Sequence, residues 1–227
     1  MIFRVYLKQE NDYGDKLRYD VFDLHGNLTA VGSNAEPKCG LLFRIGEEEY
    51  RFRMLPHRID KAPVAHRYPL SSGSRRTFGF SVYRGEEECM FYYKEAEVVG
   101  RTGIFKKTMG LTVLVLGDQI YRSYRVGFPG ENSHYYCLLD QSGKTVAVLE
   151  RHTYREDACR ATLYVEEEAF VRPALLASAA ETMDVVYTGE RYSDPSAGHY
   201  ISLLEEEKAM FDPGFIPRVK ALDGVTD

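Results

Sequence analysis

The chain has no tryptophan, only four cysteines and no long apolar run. Its cysteines form no CxxC pair, so their spacing predicts reduced, mostly buried thiols. The most apolar stretch, LTVLVLG, has the length of a strand, so we expect no transmembrane segment. The opening residues, MIFRVYLKQE, lack a basic segment followed by an apolar one, so we expect no signal peptide and a cytoplasmic location.

The common catalytic motifs are also missing. GxSxG, GxxxxGK[ST], GxGxxG and HExxH are absent, so we predict no catalytic residue and no cofactor. Four glutamate triplets, at 47–49, 86–88, 166–168 and 205–207, could offer oxygen ligands to Ca²⁺, but no Asp-x-Asp-x-Asp-Gly loop accompanies them. Hairpin solubility explains these triplets better than a metal site. An enzyme of hydrolase type, using an acid or a cysteine, stays open as a third hypothesis because sites can be assembled from distant strands.

Aromatic residues and glycine are abundant, with 17 Tyr, 12 Phe and 19 Gly in 227 residues. Paired β-branched and aromatic runs alternate with short Gly or Asp turns, which is typical of consecutive hairpins. We count about a dozen strands, and no helical pattern interrupts them before residue 170. The sequence therefore predicts a mainly β protein with one antiparallel domain over residues 1–190. The net charge of −5 argues against a nucleic-acid partner.

The pattern changes after residue 170. Ala, Leu and Met dominate the stretch that follows Pro173, so we predict an apolar helix near 172–188. Residues 191–227 form a C-terminal extension, for which we predict one amphipathic helix beginning near Asp194. Its apolar side, with Ile201, Leu204 and Phe211, is expected to pack across the outside of the sheet.

One hairpin pattern occurs twice in the chain. When YDVFDLHGNLTAV is set over the segment beginning at residue 136, Tyr19 falls on Tyr136 and Asp23 on Asp140. Gly26 then falls on Gly143, and the Ala-Val pair at 30–31 falls on the pair at 147–148. Any hairpin can carry an Asp-x-x-Gly turn. We nevertheless interpret the match as two similarly built parts of one closed sheet.

The repeated turn, together with the apolar helix ALLASAAETMDVVY, resembles the tubby C-terminal-like superfamily, in particular its LURP-one-related branch, with phospholipid scramblases as cousins. The resemblance covers roughly residues 1–190 and implies a closed antiparallel barrel of about twelve strands, threaded by the C-terminal helix. Tubby domains bind phosphoinositides through basic side chains. We carry none of that family's lipid-contacting residues over to this chain.

The strongest charge asymmetry lies between residues 51 and 76. Seven basic residues and one acid give this segment a charge of +6 (7 − 1) within a chain of −5. We predict that it binds an anionic ligand such as a phospholipid headgroup, a phosphate or an acidic partner. The alternative is a solvated loop that nearby glutamates neutralise. The candidate residues are Arg51, Arg53, Arg58, Lys61, Arg67, Arg75 and Arg76.

Two further features leave alternatives open. Glu181 and Asp184 are the only charged residues of the apolar helix after Pro173, and they either mark its wet side, pair with a strand arginine or share a buried proton. His134 and Cys137 are three residues apart, which places them on opposite faces of a strand. We thus predict a non-enzymatic binding protein. The alternative is a structural or scaffold protein that docks a protein partner through its C-terminal extension.

Overall fold

The computed structural model describes residues 1–9, 17–36, 40–54, 75–102, 105–152, 159–188 and 201–225. Twelve antiparallel strands pair in sequence order, and the first also pairs with the last, so the sheet closes into a barrel. This confirms the predicted fold class. The strands are β1 (Ile2–Gln9), β2 (Leu17–Asp23), β3 (Leu28–Glu36), β4 (Gly40–Ile45), β5 (Glu48–Met54), β6 (Arg75–Arg84), β7 (Glu87–Thr102), β8 (Phe105–Leu116), β9 (Gln119–Gly127), β10 (Ser133–Leu139), β11 (Thr145–His152) and β12 (Cys159–Val165).

Helix α1, Val171–Thr188, follows a short 3-10 turn and packs inside the barrel. A barrel of twelve strands encloses a space that strand side chains alone do not fill. Small residues let the helix occupy that space: Ala174, Ala179 and Ala180 are buried, as are Leu175 and Leu176. They share one core with the inward side chains of the strands. The predicted central helix near 172–188 is therefore confirmed.

The two ends of the barrel differ. Because successive strands run in opposite directions, the short turns that follow the even-numbered strands from β2 to β10 all lie at one end. Helix α1 begins at this end, where Arg172 Nη2 lies 3.3 Å from Glu48 Oε2 at the start of β5. The helix therefore ends at the opposite end, where β5 stops and β6 starts.

The C-terminal extension packs across the outer face of the barrel, as the sequence predicts. Its described residues, 201–225, form two short helices, α2 (Glu205–Ala209) and α3 (Phe215–Leu222), rather than one longer helix. Residues 201–204 are not helical, and the backbone N–H of Ser202 instead donates to Gly127 O at the end of β9, at 2.9 Å. The predicted start near Asp194 lies outside the described residues. Phe215 and Val219 are fully buried against outward side chains of β8–β12 and β1.

No helix in the described ranges is both long enough and apolar enough to cross a membrane.

Candidate functional site

The two repeated hairpins have the same turn. Asp23 Oδ1 accepts backbone N–H bonds from His25 and Asn27, at 2.9 and 2.8 Å. Asp140 Oδ1 accepts the equivalent bonds from Ser142 and Lys144, at 2.9 and 3.0 Å. Both turns then need a residue with positive φ, and Gly26 (82°) and Gly143 (83°) supply it. The sequence repeat is thus a structural repeat, with a register irregularity at the same place in each hairpin.

The repeat places two tyrosines at equivalent inward positions. Tyr19 is fully buried, and its hydroxyl lies 2.8 Å from Ser178 Oγ on α1. Burial raises the pKa of Tyr19 to about 12. Tyr136 is also buried, but its hydroxyl has no hydrogen-bond partner among the described residues. The two copies of the hairpin therefore differ in whether the helix satisfies the phenol.

Three cavities lie inside the barrel around Tyr136 and Glu181, which line all of them. The largest has a volume of about 280 Å³, and each of the others has about 20 Å³. The small cavities have room for about one water each, whereas the large one can hold a small molecule. We call the large one the lumen cavity. Its lining includes Lys94, Thr112, Ser123, Arg125, Tyr136 and Glu181.

Basic side chains surround the Tyr136 phenol. The Arg125 guanidinium lies over its ring, 5.1 Å from the centroid. Burial raises the pKa of Tyr136, and the Glu181 carboxylate adds to that rise, whereas Arg125 and Arg151 oppose it. Arg151 is close enough to lower this pKa, yet it does not meet the geometry of a hydrogen bond with the hydroxyl.

A small cavity beside the lumen cavity is lined by two further arginines, Arg151 and Arg160. Arg160 is the residue that the β1–β12 register skips between its pairings at Val5 and Tyr6. A β-bulge of this kind changes the direction in which a side chain points. The bulge therefore explains why the Arg160 side chain lines a cavity inside the barrel. The Nε atom of Arg160 is buried and has no hydrogen-bond partner in the described part of the chain.

Sequence reasoning singled out Glu181 but missed the cavities around it. Glu181 is buried, so it does not mark a wet side of the helix. The side chain of Asp184 lies outside the described residues. His134 faces inward, with its ring 5.4 Å from that of Tyr136. Cys137 faces outward and packs in the apolar cluster formed with Phe215 and Val219, which we call the outer cluster. Strand alternation predicts these opposite orientations. Two sequence signals pointed to cavity residues: the alignment of Tyr136 with Tyr19, and the charge of Glu181 in an apolar helix.

Of the seven residues predicted to bind an anion, the structure describes the side chains of two. Arg51 and Arg53 are both exposed on the outer face of β5, and Arg53 lies over the Tyr83 ring at 5.0 Å. Neighbouring arginines are paired: Arg44 lies 3.5 Å from Glu49, and Arg84 lies 3.2 Å from Glu48. In contrast, neither Arg51 nor Arg53 forms an ion pair with any described residue.

The other candidates of this segment cannot be placed around them. Arg58, Lys61 and Arg67 lie outside the described residues. Arg75 and Arg76 begin β6, but their side chains are not described. The described side chains therefore include only the first two of the seven predicted residues.

A separate group of polar side chains on the outer face, around His152, has the residue types of a hydrolytic site but not its geometry. His152 Nε2 lies 3.0 Å from Thr162 Oγ1, and its Nδ1 lies 3.2 Å from Ser133 Oγ. Glu150 Oε1 is 3.9 Å from Nδ1, too far for a hydrogen bond. The ring therefore contacts two hydroxyls, and Glu150 does not orient it as the acid orients a general base. Within the described ranges, no three His, Cys, Asp or Glu side chains converge as a metal site.

Comparisons with known proteins found no matching family model, no matching curated protein and no matching solved structure. The resemblance to the tubby-like superfamily therefore stays a prediction. The barrel and its central helix agree with that resemblance, but unrelated proteins can share an architecture.

Proposed function

We propose that this protein is a non-catalytic binding protein that recognises anionic groups, phospholipid headgroups foremost, on the outer face of its barrel. The observation that carries the proposal is the pair Arg51 and Arg53. Both are exposed, both lie on one face of β5, and neither is neutralised by a described carboxylate, although Arg44 and Arg84 nearby are.

The geometry of β5 suits a phosphate ligand. Side chains two residues apart on a strand project from the same face, roughly 7 Å apart. Both guanidinium groups can therefore reach one headgroup, and arginine binds phosphate oxygens through paired N–H bonds. The segment that begins with these residues has a charge of +6 (7 − 1) in the sequence, which adds long-range attraction to an anionic surface.

The scaffold alternative is less well supported. It requires the apolar side of the C-terminal extension to face a partner, but Leu204 and Phe211 pack in the cluster that covers the barrel. Leu203, 89% exposed, is the most exposed large apolar side chain of the described extension. The compartment we propose is the cytoplasm, and the free thiols of Cys89 and Cys137 support it.

Co-sedimentation with phosphatidylcholine vesicles, with and without phosphatidylserine, tests the proposal at low and moderate salt. The variant is the double reversal Arg51→Glu/Arg53→Glu. Each basic residue near an anionic membrane contributes about 1 kcal/mol. We expect the double reversal to weaken binding by at least 2 kcal/mol, roughly 30-fold. Binding by the wild type should also fall as salt rises.

A matched control keeps the change in net charge but moves it elsewhere. Arg4→Glu/Arg122→Glu reverses two exposed arginines on the outer faces of β1 and β9. We expect this variant to keep most of the wild-type binding. If both double variants lose binding equally, the attraction depends on overall charge and not on β5. Absence of wild-type binding at low salt contradicts the proposal.

A further inference from the structure

We propose that the lumen cavity is a second binding site, which takes a small anionic molecule bearing a carboxylate or a phosphate. This proposal is independent of the outer basic face. It depends on different residues, inside the barrel at the end where α1 stops, and on a ligand that is a single small molecule and not a membrane. The cavity's volume of about 280 Å³ lies just below the range of about 300–1,000 Å³ for small-molecule sites, so the ligand must be small.

The first argument is the buried donor that the fold leaves without an acceptor. Folded proteins satisfy nearly all buried polar groups, and an exception needs an explanation. The internal repeat shows that this chain can satisfy a tyrosine at this position, because Tyr19 bonds to Ser178. Tyr136, its counterpart, lines the lumen cavity with its hydroxyl unpartnered among the described residues. A ligand oxygen in the cavity provides the missing acceptor.

The second argument is the charge of the lining. Lys94 and Arg125 line the lumen cavity, and Arg151 and Arg160 line the small cavity beyond Tyr136 and Glu181. Two acids, Glu95 and Glu181, line the lumen cavity as well, so its own formal charges balance (2 − 2), and Arg151 and Arg160 give the two cavities together a net charge of +2 (4 − 2). Walls of low dielectric strengthen this positive field and favour an anion inside.

The arrangement also indicates which groups contact the ligand. Arg125 lies over the Tyr136 ring, and both side chains line the lumen cavity. Lys94, Thr112 and Ser123 add an ammonium group and two hydroxyls to the lining. We assign Tyr136 and Arg125 as the main anion contacts, with Lys94 as a third. Arg151 and Arg160 contribute charge from behind the phenol.

Isothermal titration calorimetry on the full chain tests this assignment, in a low-salt zwitterionic buffer. The probes are inorganic phosphate, glycerol 3-phosphate, succinate and citrate, with glycerol as the neutral control. We expect saturable binding of phosphates or of carboxylates, and none of glycerol. Binding of the two phosphates alone assigns a phosphate ligand, and binding of succinate or citrate alone assigns a carboxylate ligand.

The variants have controls on the same elements. Tyr136→Phe and Arg125→Gln should each weaken binding about tenfold or more, the effect of losing a hydrogen bond to a charged group. Tyr19→Phe, at the equivalent repeat position, and Arg122→Gln, an exposed arginine on the same strand, should bind as the wild type does. Glu181→Gln removes a negative charge from the lining and should tighten binding. Circular dichroism and melting curves verify that each variant is folded.

Three results overturn the proposal. The first is that the wild type binds none of the four anions at millimolar concentration. The second is that Tyr136→Phe and Arg125→Gln, both folded, bind as well as their controls. The third is that Glu181→Gln weakens anion binding. None of these results bears on vesicle binding by Arg51 and Arg53, so the two proposals fail separately.

Discussion

At the scale of single residues, the repeat provides a comparison inside one molecule. Tyr19 and Tyr136 have the same neighbours in sequence pattern and the same inward orientation, but only Tyr19 has a hydrogen bond to the helix. A buried hydroxyl that loses its partner costs free energy, whereas a buried hydroxyl that never had one costs nothing to remove. The stability of the variants Tyr19→Phe and Tyr136→Phe therefore depends on whether the lost hydroxyl had a hydrogen-bond partner, and not on how deeply the side chain is buried.

We expect Tyr19→Phe to lower the free energy of unfolding by about 1 kcal/mol, a shift in melting temperature of about 2–4 °C. Ser178 is not left unsatisfied by this change, because its hydroxyl also donates to Leu175 O at 2.9 Å. Tyr136→Phe should leave stability unchanged or slightly raised in a buffer without added small anions. Thermal and urea denaturation measure both. Equal losses in the two variants would mean that the Tyr136 hydroxyl has an equivalent partner in solution.

At the scale of elements, the stability that the two Asp-x-x-Gly turns contribute to the fold depends on pH. Burial acts to raise the pKa of Asp140, but hydrogen bonds from Ser142 and Lys144 outweigh it, so the pKa lies below the ordinary 3.8. The pKa of Asp23 is lowered too, chiefly by the side chain and backbone of Asn27. A carboxylate whose pKa is lower in the folded state stabilises above the unfolded pKa, and that stabilisation is lost as pH falls through the folded pKa.

We therefore expect Asp140→Asn to lower the melting temperature at pH 7. The difference from the wild type should shrink below pH 3.8 and vanish once the wild-type carboxylate is protonated. Asp118→Asn, in the β8–β9 turn, is the control because its exposed carboxylate accepts no hydrogen bond from a described residue. A difference between wild type and Asp140→Asn that stays constant down to pH 2 would contradict the charge-based explanation.

At the scale of the whole molecule, the sequence predicted the barrel but not the cavities inside it. Strand alternation and the apolar helix were visible locally because each has its own period. The lumen cavity was not, since it joins Lys94, Arg125, Tyr136 and Glu181 from four elements distant in sequence. The extension was predicted as one helix because Ile201, Leu204 and Phe211 have helical spacing. In the structure, the backbone N–H of Ser202, within the predicted helix, donates to Gly127 O on β9 and not to a helical carbonyl.

The C-terminal extension is held against the barrel by contacts on the barrel's outer face. Cys137 lies in the outer cluster with Phe215, and burial raises the pKa of its thiol to about 12, so it is protonated and unreactive at pH 8. Tyr124, in the same cluster, donates its hydroxyl to Met210 O, which ties the extension to β9. The thiol of Cys137 is thus a reporter of whether the extension covers the barrel.

We expect Phe215→Ala to release helix α3 from the barrel, because truncating a fully buried phenylalanine costs about 3–5 kcal/mol. Alkylation of Cys137 at pH 8, resolved site by site by mass spectrometry, should then accelerate about tenfold or more, since that cost covers the local opening. Cys89, which packs against the barrel core and makes a 3.4 Å contact with Val82 O, should react as slowly as in the wild type. Leu222→Ala, at an exposed site on the same helix, should leave both rates unchanged. Equal acceleration at both thiols would mean that Phe215 stabilises the whole barrel and not only the contact between the extension and its outer face.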